Sequence, residues 1–126
     1  MSIKPLEMSQ SIARRIASAM ETIAPLKLAD ASWDNVGLLV ESPLTTKKRV
    51  MLTIDFTEQV LNECIQKEIG VVVSYHPPIF TGMKRLNFDS LKSKLVLLAI
   101  SNGISIYSPH SVITHNSRLL TLVMAV

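Results

Sequence analysis

Cysteine is nearly missing from this chain. Cys64 is the only one in 126 residues, so no disulfide can form within it, and a reducing compartment is expected. Long apolar runs are missing too. None approaches the ~18 residues of a spanning helix, so no membrane partner is expected. Glu7, Gln10, Arg14 and Arg15 interrupt the first positions and exclude the apolar centre of a signal peptide. Ser2, Lys4, Ser9, Ser11, Arg14, Arg15 and Ser18 give part of a mitochondrial presequence pattern, against which Glu7 and Glu21 stand. A cytoplasmic location is expected, with mitochondrion and nucleus as alternatives.

Aromatic residues make up only 5% and do not interleave with the basic ones. The net charge is +3 and the pI about 9.2. The cations are scattered over 14–15, 47–49, 84–85, 92 and 94, which reads as solvated faces and gives no clear nucleic-acid motif. Nothing matches a P-loop, a glycine-rich dinucleotide fingerprint, a nucleophile elbow or a cysteine-based zinc site. No internal repeat, low-complexity tract or linker divides the chain.

What is present is apolar: 48% hydrophobic residues and a mean hydropathy of +0.32. That suits one α/β domain with strands covered on both faces, or apolar surface kept for a protein partner or a homo-oligomer. Ile12, Ile16, Met20 and Ile23 fall at helical spacing, and Pro25 ends that helix. Residues 25–35 read as a loop and 36–40 as a short strand. Strand 49–55, helix 57–69, strand 71–74, helix 90–102 and strand 104–107 follow. Val60, Leu61, Cys64 and Ile65 form the inward stripe of one helix, and Leu91, Leu95, Leu98 and Ala99 that of the next. Gly70 suits a helix end, and Asn102-Gly103 stops the later helix. Strands alternating with helices predict a mostly parallel sheet with right-handed βαβ crossovers.

In such sheets ligands bind beyond the carboxyl ends of the strands. Three successive strands end in polar residues: Asp55, then Tyr75-His76, then Ser108-Pro109-His110. His76 is framed by Pro77 and Pro78, and His110 follows Pro109. Proline fixes φ, so an imidazole held there loses little entropy on ordering. Neutral imidazole is a common metal ligand and can serve as a general base. The alternative is that each ring only bonds backbone in a tight loop. Asp55 precedes Thr57 and a helix, which favours capping or an Asx-turn over a ligand role. Trp33-Asp34-Asn35 could place polar groups near the same edge, but Trp33 reads rather as a core anchor and Asp34-Asn35 as turn formers. Cys64, on an inward stripe, reads as a packed thiol. Lys84-Arg85 is either solvated charge or an attractor of phosphate. His115 is given no role.

WDNVGLLVE at 33–41, TIDFTEQV at 53–60, SYHPPIFTGMKRL at 74–86 and SIYSPHS at 105–111 occur in this order. Together they resemble the amino-terminal half of the GTP cyclohydrolase I type 2 family, also called Nif-three-like or NGG-one-interacting-factor. The resemblance implies one lobe of a normally two-lobed α/β fold, a ring-like oligomer and a dinuclear metal site. It implies residues 1–111 as the amino-terminal lobe and 112–126 as a divergent tail. His76 corresponds to the second of a His-His pair, with Tyr75 in place of the first. His110 corresponds to the His of a His-x-x-x-Asp segment, with Thr114 in place of the Asp. The metal ligands expected in this chain are therefore His76 and His110, holding a divalent ion (Zn, Mn or Fe) weakly and in part. No catalytic residue is assigned. The implied activity is metal-dependent hydrolysis of a nucleotide-like substrate, with this chain truncated and inactive. The alternative is a non-enzymatic interaction module with a transcription-related partner.

Overall fold

Ser11 opens the first helix. In the computed structural model, which describes residues 11–29, 34–79 and 81–110, its hydroxyl accepts from the Arg14 N–H at 3.2 Å and α1 runs Ile12–Ile23. Ala24 closes it, and a short 3-10 turn, Leu26–Leu28, follows within the predicted loop. The remaining elements are β1 (Gly37–Val40), β2 (Arg49–Thr53), α2 (Glu58–Gln66), β3 (Ile69–Ser74), α3 (Leu91–Ser101) and β4 (Ser105–Ser108). Trp33, the first ten residues and 111–126, with Thr114 and His115, lie outside the described residues.

The strands form one sheet in the order β1-β4-β3-β2, with β2, β3 and β4 parallel and β1 antiparallel against β4. The mostly parallel α/β reading therefore holds. Two crossovers, β2–α2–β3 and β3–α3–β4, place α2 and α3 over one face. Their Leu61, Cys64, Leu95, Val96 and Ala99 pack with Val72, Ile104, Ile106 and Val40 in the main core. Side chains alternate along a strand, so Val71, Val73 and Tyr107 face the other side, where α1 lies against β3 and β4. All six β3 residues are buried, as the lack of alternation in its sequence predicts. Val50 and Leu52 of the edge strand pair with Val71 and Val73 and are 38% and 41% exposed, since α1 packs mainly against β3, β4 and β1. α1 is instead fixed to the end of β1: Arg14 Nε and Nη2 donate to Glu41 at 2.6 and 2.7 Å.

The structure corrects the sequence reading at one helix end. α2 stops at Gln66, and Glu68 makes the reversal with φ 55. Gly70 lies inside β3. The ladder pairs Arg49 with Ile69 but Val50 with Val71, so Gly70 is the extra residue of a bulge. A Cβ there would stand 1.9 Å from the Lys47 carbonyl oxygen. Close backbone approach, and not helix termination, requires this glycine. Gly103 is the helix-stopping one. It takes φ 71, and the bonds Gly103 N–H to Ile100 O and Ile104 N–H to Ala99 O close α3 in a Schellman motif. Two apolar residues read as inward are exposed, Ile65 at 44% and Leu91 at 58%, and so is Ile23, at helical spacing in α1, at 51%.

Tyr107 carries a buried hydroxyl with no hydrogen-bond partner among the described residues. Burial, with a smaller contribution from Glu21, pushes its pKa up to about 12 from 10.0. An unpaired buried hydroxyl costs stability. Tyr107→Phe is therefore expected to raise stability by about 1 kcal/mol, read as a higher urea midpoint. The raised pKa adds a pH signature. The folded state holds the phenolic proton more tightly than the unfolded one, so stability is full below pH 10 and falls as pH rises toward 12. The phenylalanine variant lacks that component of the fall. A lower midpoint in the variant would show that the hydroxyl has a partner.

Candidate functional site

Parallel strands emerge at a common edge, and here the ladder continues past their ends. The Tyr75 N–H donates to Thr53 O and the His76 N–H to Ile54 O, both at 2.9 Å. The Ser74 hydroxyl donates to the His76 carbonyl at 2.7 Å, and the Ser108 hydroxyl donates to the Tyr75 carbonyl at 3.2 Å. The His76 backbone is thus held at both its polar groups, in a segment where Pro77 and Pro78 supply no donors. On the far side, the Asn35 amide donates to the Ile79 carbonyl at 2.6 Å and ties down the same loop.

The two histidines meet. Their ring centroids are 5.5 Å apart at an interplanar angle of 67°. The Tyr75 ring completes the cluster, 4.9 Å from His76 and 5.2 Å from His110. Each imidazole has a carboxylate at Nδ1. Asp55 Oδ1 lies 2.6 Å from His76, and Asp34 Oδ1 lies 2.9 Å from His110. The first pair is open to solvent. The second is not: the Asp34 side chain is 0% exposed and that of His110 19%. A buried carboxylate beside a histidine is a fixed orienting group. A carboxylate accepting from Nδ1–H sets the tautomer that offers Nε2 as the basic nitrogen, the arrangement found behind metal-bound imidazoles.

Asp55 does not cap the helix, and Asp34 has a second job beside the turn. Thr57, not Asp55, caps α2, accepting from the Val60 N–H at 3.2 Å. Asp34 does accept from the Asn35 N–H at 2.9 Å, as a turn former would, but its Oδ1 also serves His110. Because β1 is antiparallel, its beginning lies where the other strands end, with Gly37 opposite Ser108. That orientation delivers Asp34 to the site. Asp55 stands among the strand-end residues, and 33–35 is a segment that could reach the same edge, but the pairing of Asp34 with His110 is not legible in the sequence. Cys64 is fully buried in the core against Met51 Sδ, and burial raises its pKa to about 11, as befits a packed thiol.

The residues fit a metal in part. Two adjacent imidazoles with carboxylate-held tautomers are suitable donors. Among the described residues no group of three or more His, Cys, Asp and Glu is arranged to hold an ion.

An α/β domain with two carboxylate-backed histidines at the carboxyl edge of its parallel strands is the class of protein that fold and site define. The family model described as Duf34/NIF3 (NGG1p interacting factor 3) matches residues 12–117, and the chain belongs to that family. It is 46% identical over 99 residues to NIF3-like protein 1 of Homo sapiens, covering 78% of this chain and 26% of that one. It is 34% identical over 119 residues to NGG1-interacting factor 3 of Saccharomyces cerevisiae, covering 84% and 41%. Among solved structures, the Bacillus cereus protein related to NIF3 superposes with a TM-score of 0.71 at 31% identity, over 79% of this chain and 27% of that one. The chain thus spans about a quarter of the human relative. No helix among the described residues is long and apolar enough to cross a membrane.

Proposed function

We propose that this chain is a metal-binding lobe in which His76 and His110 hold one divalent ion, Zn, Mn or Fe, at the carboxyl edge of the sheet. The observation that carries this reading is the 5.5 Å meeting of two rings, each with a carboxylate from another segment at Nδ1. When bound, such an ion supplies Lewis-acid chemistry toward a water or a substrate oxygen, as hydrolysis of a nucleotide-like compound needs. In this chain Asp55 and Asp34 orient the rings and fix their tautomers. Two imidazoles fall short of the three protein ligands usual for a catalytic zinc. The chain therefore binds metal weakly, and by itself does not turn over substrate. Metal content after purification, with zinc titration by calorimetry, tests this. His76→Ala and His110→Ala are each expected to reduce bound metal to background. Unchanged content in either variant removes that residue from the site.

A second reading is a non-enzymatic interaction module. The yeast relative's name describes an interaction, and Leu86, Phe88 and Leu91 are 56%, 66% and 58% exposed close together in sequence. If this patch joins copies of the chain, light scattering gives an oligomer that Phe88→Ser returns to monomer. A monomeric wild type counts against self-association.

A further inference from the structure

Between the proline-framed loop and the start of α3 lies a cavity of about 350 Å³. Its charged lining is Lys84, Arg85 and Lys92 against the single acid Asp89. None of the three cations has an ion-pair partner among the described residues, a state they share with Arg15, Lys27, Lys48 and Arg49, but only these three gather around one cavity. The apolar part of the wall is Ile79 and Met83, both packed onto the main core. The wall is held at two further points. Asn35 bonds the Ile79 carbonyl, and the Ser93 hydroxyl donates to the Asn87 carbonyl. Asn87 in turn accepts from the Asp89 N–H at 3.0 Å.

We propose that this cavity binds the phosphate of a small phosphomonoester. Three cations facing one acid give a local excess of positive charge in a concave, solvent-open setting, where charge-assisted bonds to phosphate oxygens can form. Lysine and arginine are the usual phosphate donors. The volume sits at the small end of ligand sites, so it accommodates a phosphate with a compact organic group against Ile79 and Met83. The same excess of positive charge disfavours a cationic ligand. The site does not require a metal at His76 and His110. It agrees with the nucleotide-like substrate of that reading while standing or failing apart from it.

Backbone NMR titration of the metal-free chain at constant ionic strength tests the proposal, with inorganic phosphate and phenyl phosphate as probes. Saturable shifts are expected at residues 82–92, with phenyl phosphate binding the more tightly. Lys84→Gln combined with Arg85→Gln is expected to weaken binding of both probes at least about tenfold. Both replaced side chains are exposed, and the variant's spectrum outside the site reports whether the fold is kept. If it is not, Lys92→Gln takes its place, with weaker binding of both probes again expected. Unchanged affinity in a folded variant overturns the proposal. So do equal shifts at Lys47, Lys48 and Arg49, which would mark general attraction of anions. Equal affinity for the two probes overturns the phosphomonoester and leaves an inorganic-anion site.

Discussion

Gly70→Ala is expected to destabilise this domain by about 3 kcal/mol or more, the upper end of overpacking costs. The added carbon would lie 1.9 Å from the Lys47 carbonyl oxygen and 2.8 Å from its carbon. Those atoms belong to the backbone entering β2, so relief requires moving the chain and not a side-chain tip. The bulge that Gly70 occupies also sets the β2–β3 register that follows it, from Val50–Val71 to Thr53–Ser74. That register decides which faces Met51, Val50 and Leu52 present. Thermal unfolding should show a midpoint lower by about 10 °C or more. Gly82→Ala is the matched control. Nothing lies within 4 Å of a Cβ at Gly82, and its stability should stay within about 0.5 kcal/mol of the parent. Equal effects from both would refute the close approach at Gly70.

Asp34→Asn should lower zinc affinity by about 10- to 100-fold, the usual cost of losing the group behind a metal-bound histidine. The variant keeps the shape of the side chain and removes its charge. A buried carboxylate is a strong acceptor for Nδ1–H; a neutral amide holds the same proton less firmly and can turn its NH₂ toward the ring. Asp55→Asn should have a smaller effect, because that carboxylate is 61% exposed and water can replace it. Calorimetric titration of both variants measures the difference. If Asp55→Asn costs more than Asp34→Asn, burial is not what makes the orienting group effective.

Much of the fold was legible because it rests on local rules. Ser90 caps α3, Gly103 ends it, and Val71 to Ser74 lie in a fully buried strand. The strand-end rule likewise places His76 and His110 at one rim, where their rings meet. What stayed hidden depends on contacts remote in sequence. Gly70 looks like a helix terminator until Lys47 lies beside it. Asp34 sits 76 positions from His110, and only the antiparallel direction of β1 explains their meeting. Ile23, Ile65 and Leu91 follow helical spacing, yet the apolar stripes of their helices are wider than the sheet and neighbouring helices cover.

In the proposed site His76 and His110 share one ion through their outer ring nitrogens. Imidazole-selective nitrogen NMR of the full chain during zinc addition tests it most directly. The Nε2 resonances of both residues are expected to shift together and saturate at one equivalent, while each Nδ1 keeps its proton. A shift confined to one ring, or one at His115 with neither of the other two affected, would contradict it.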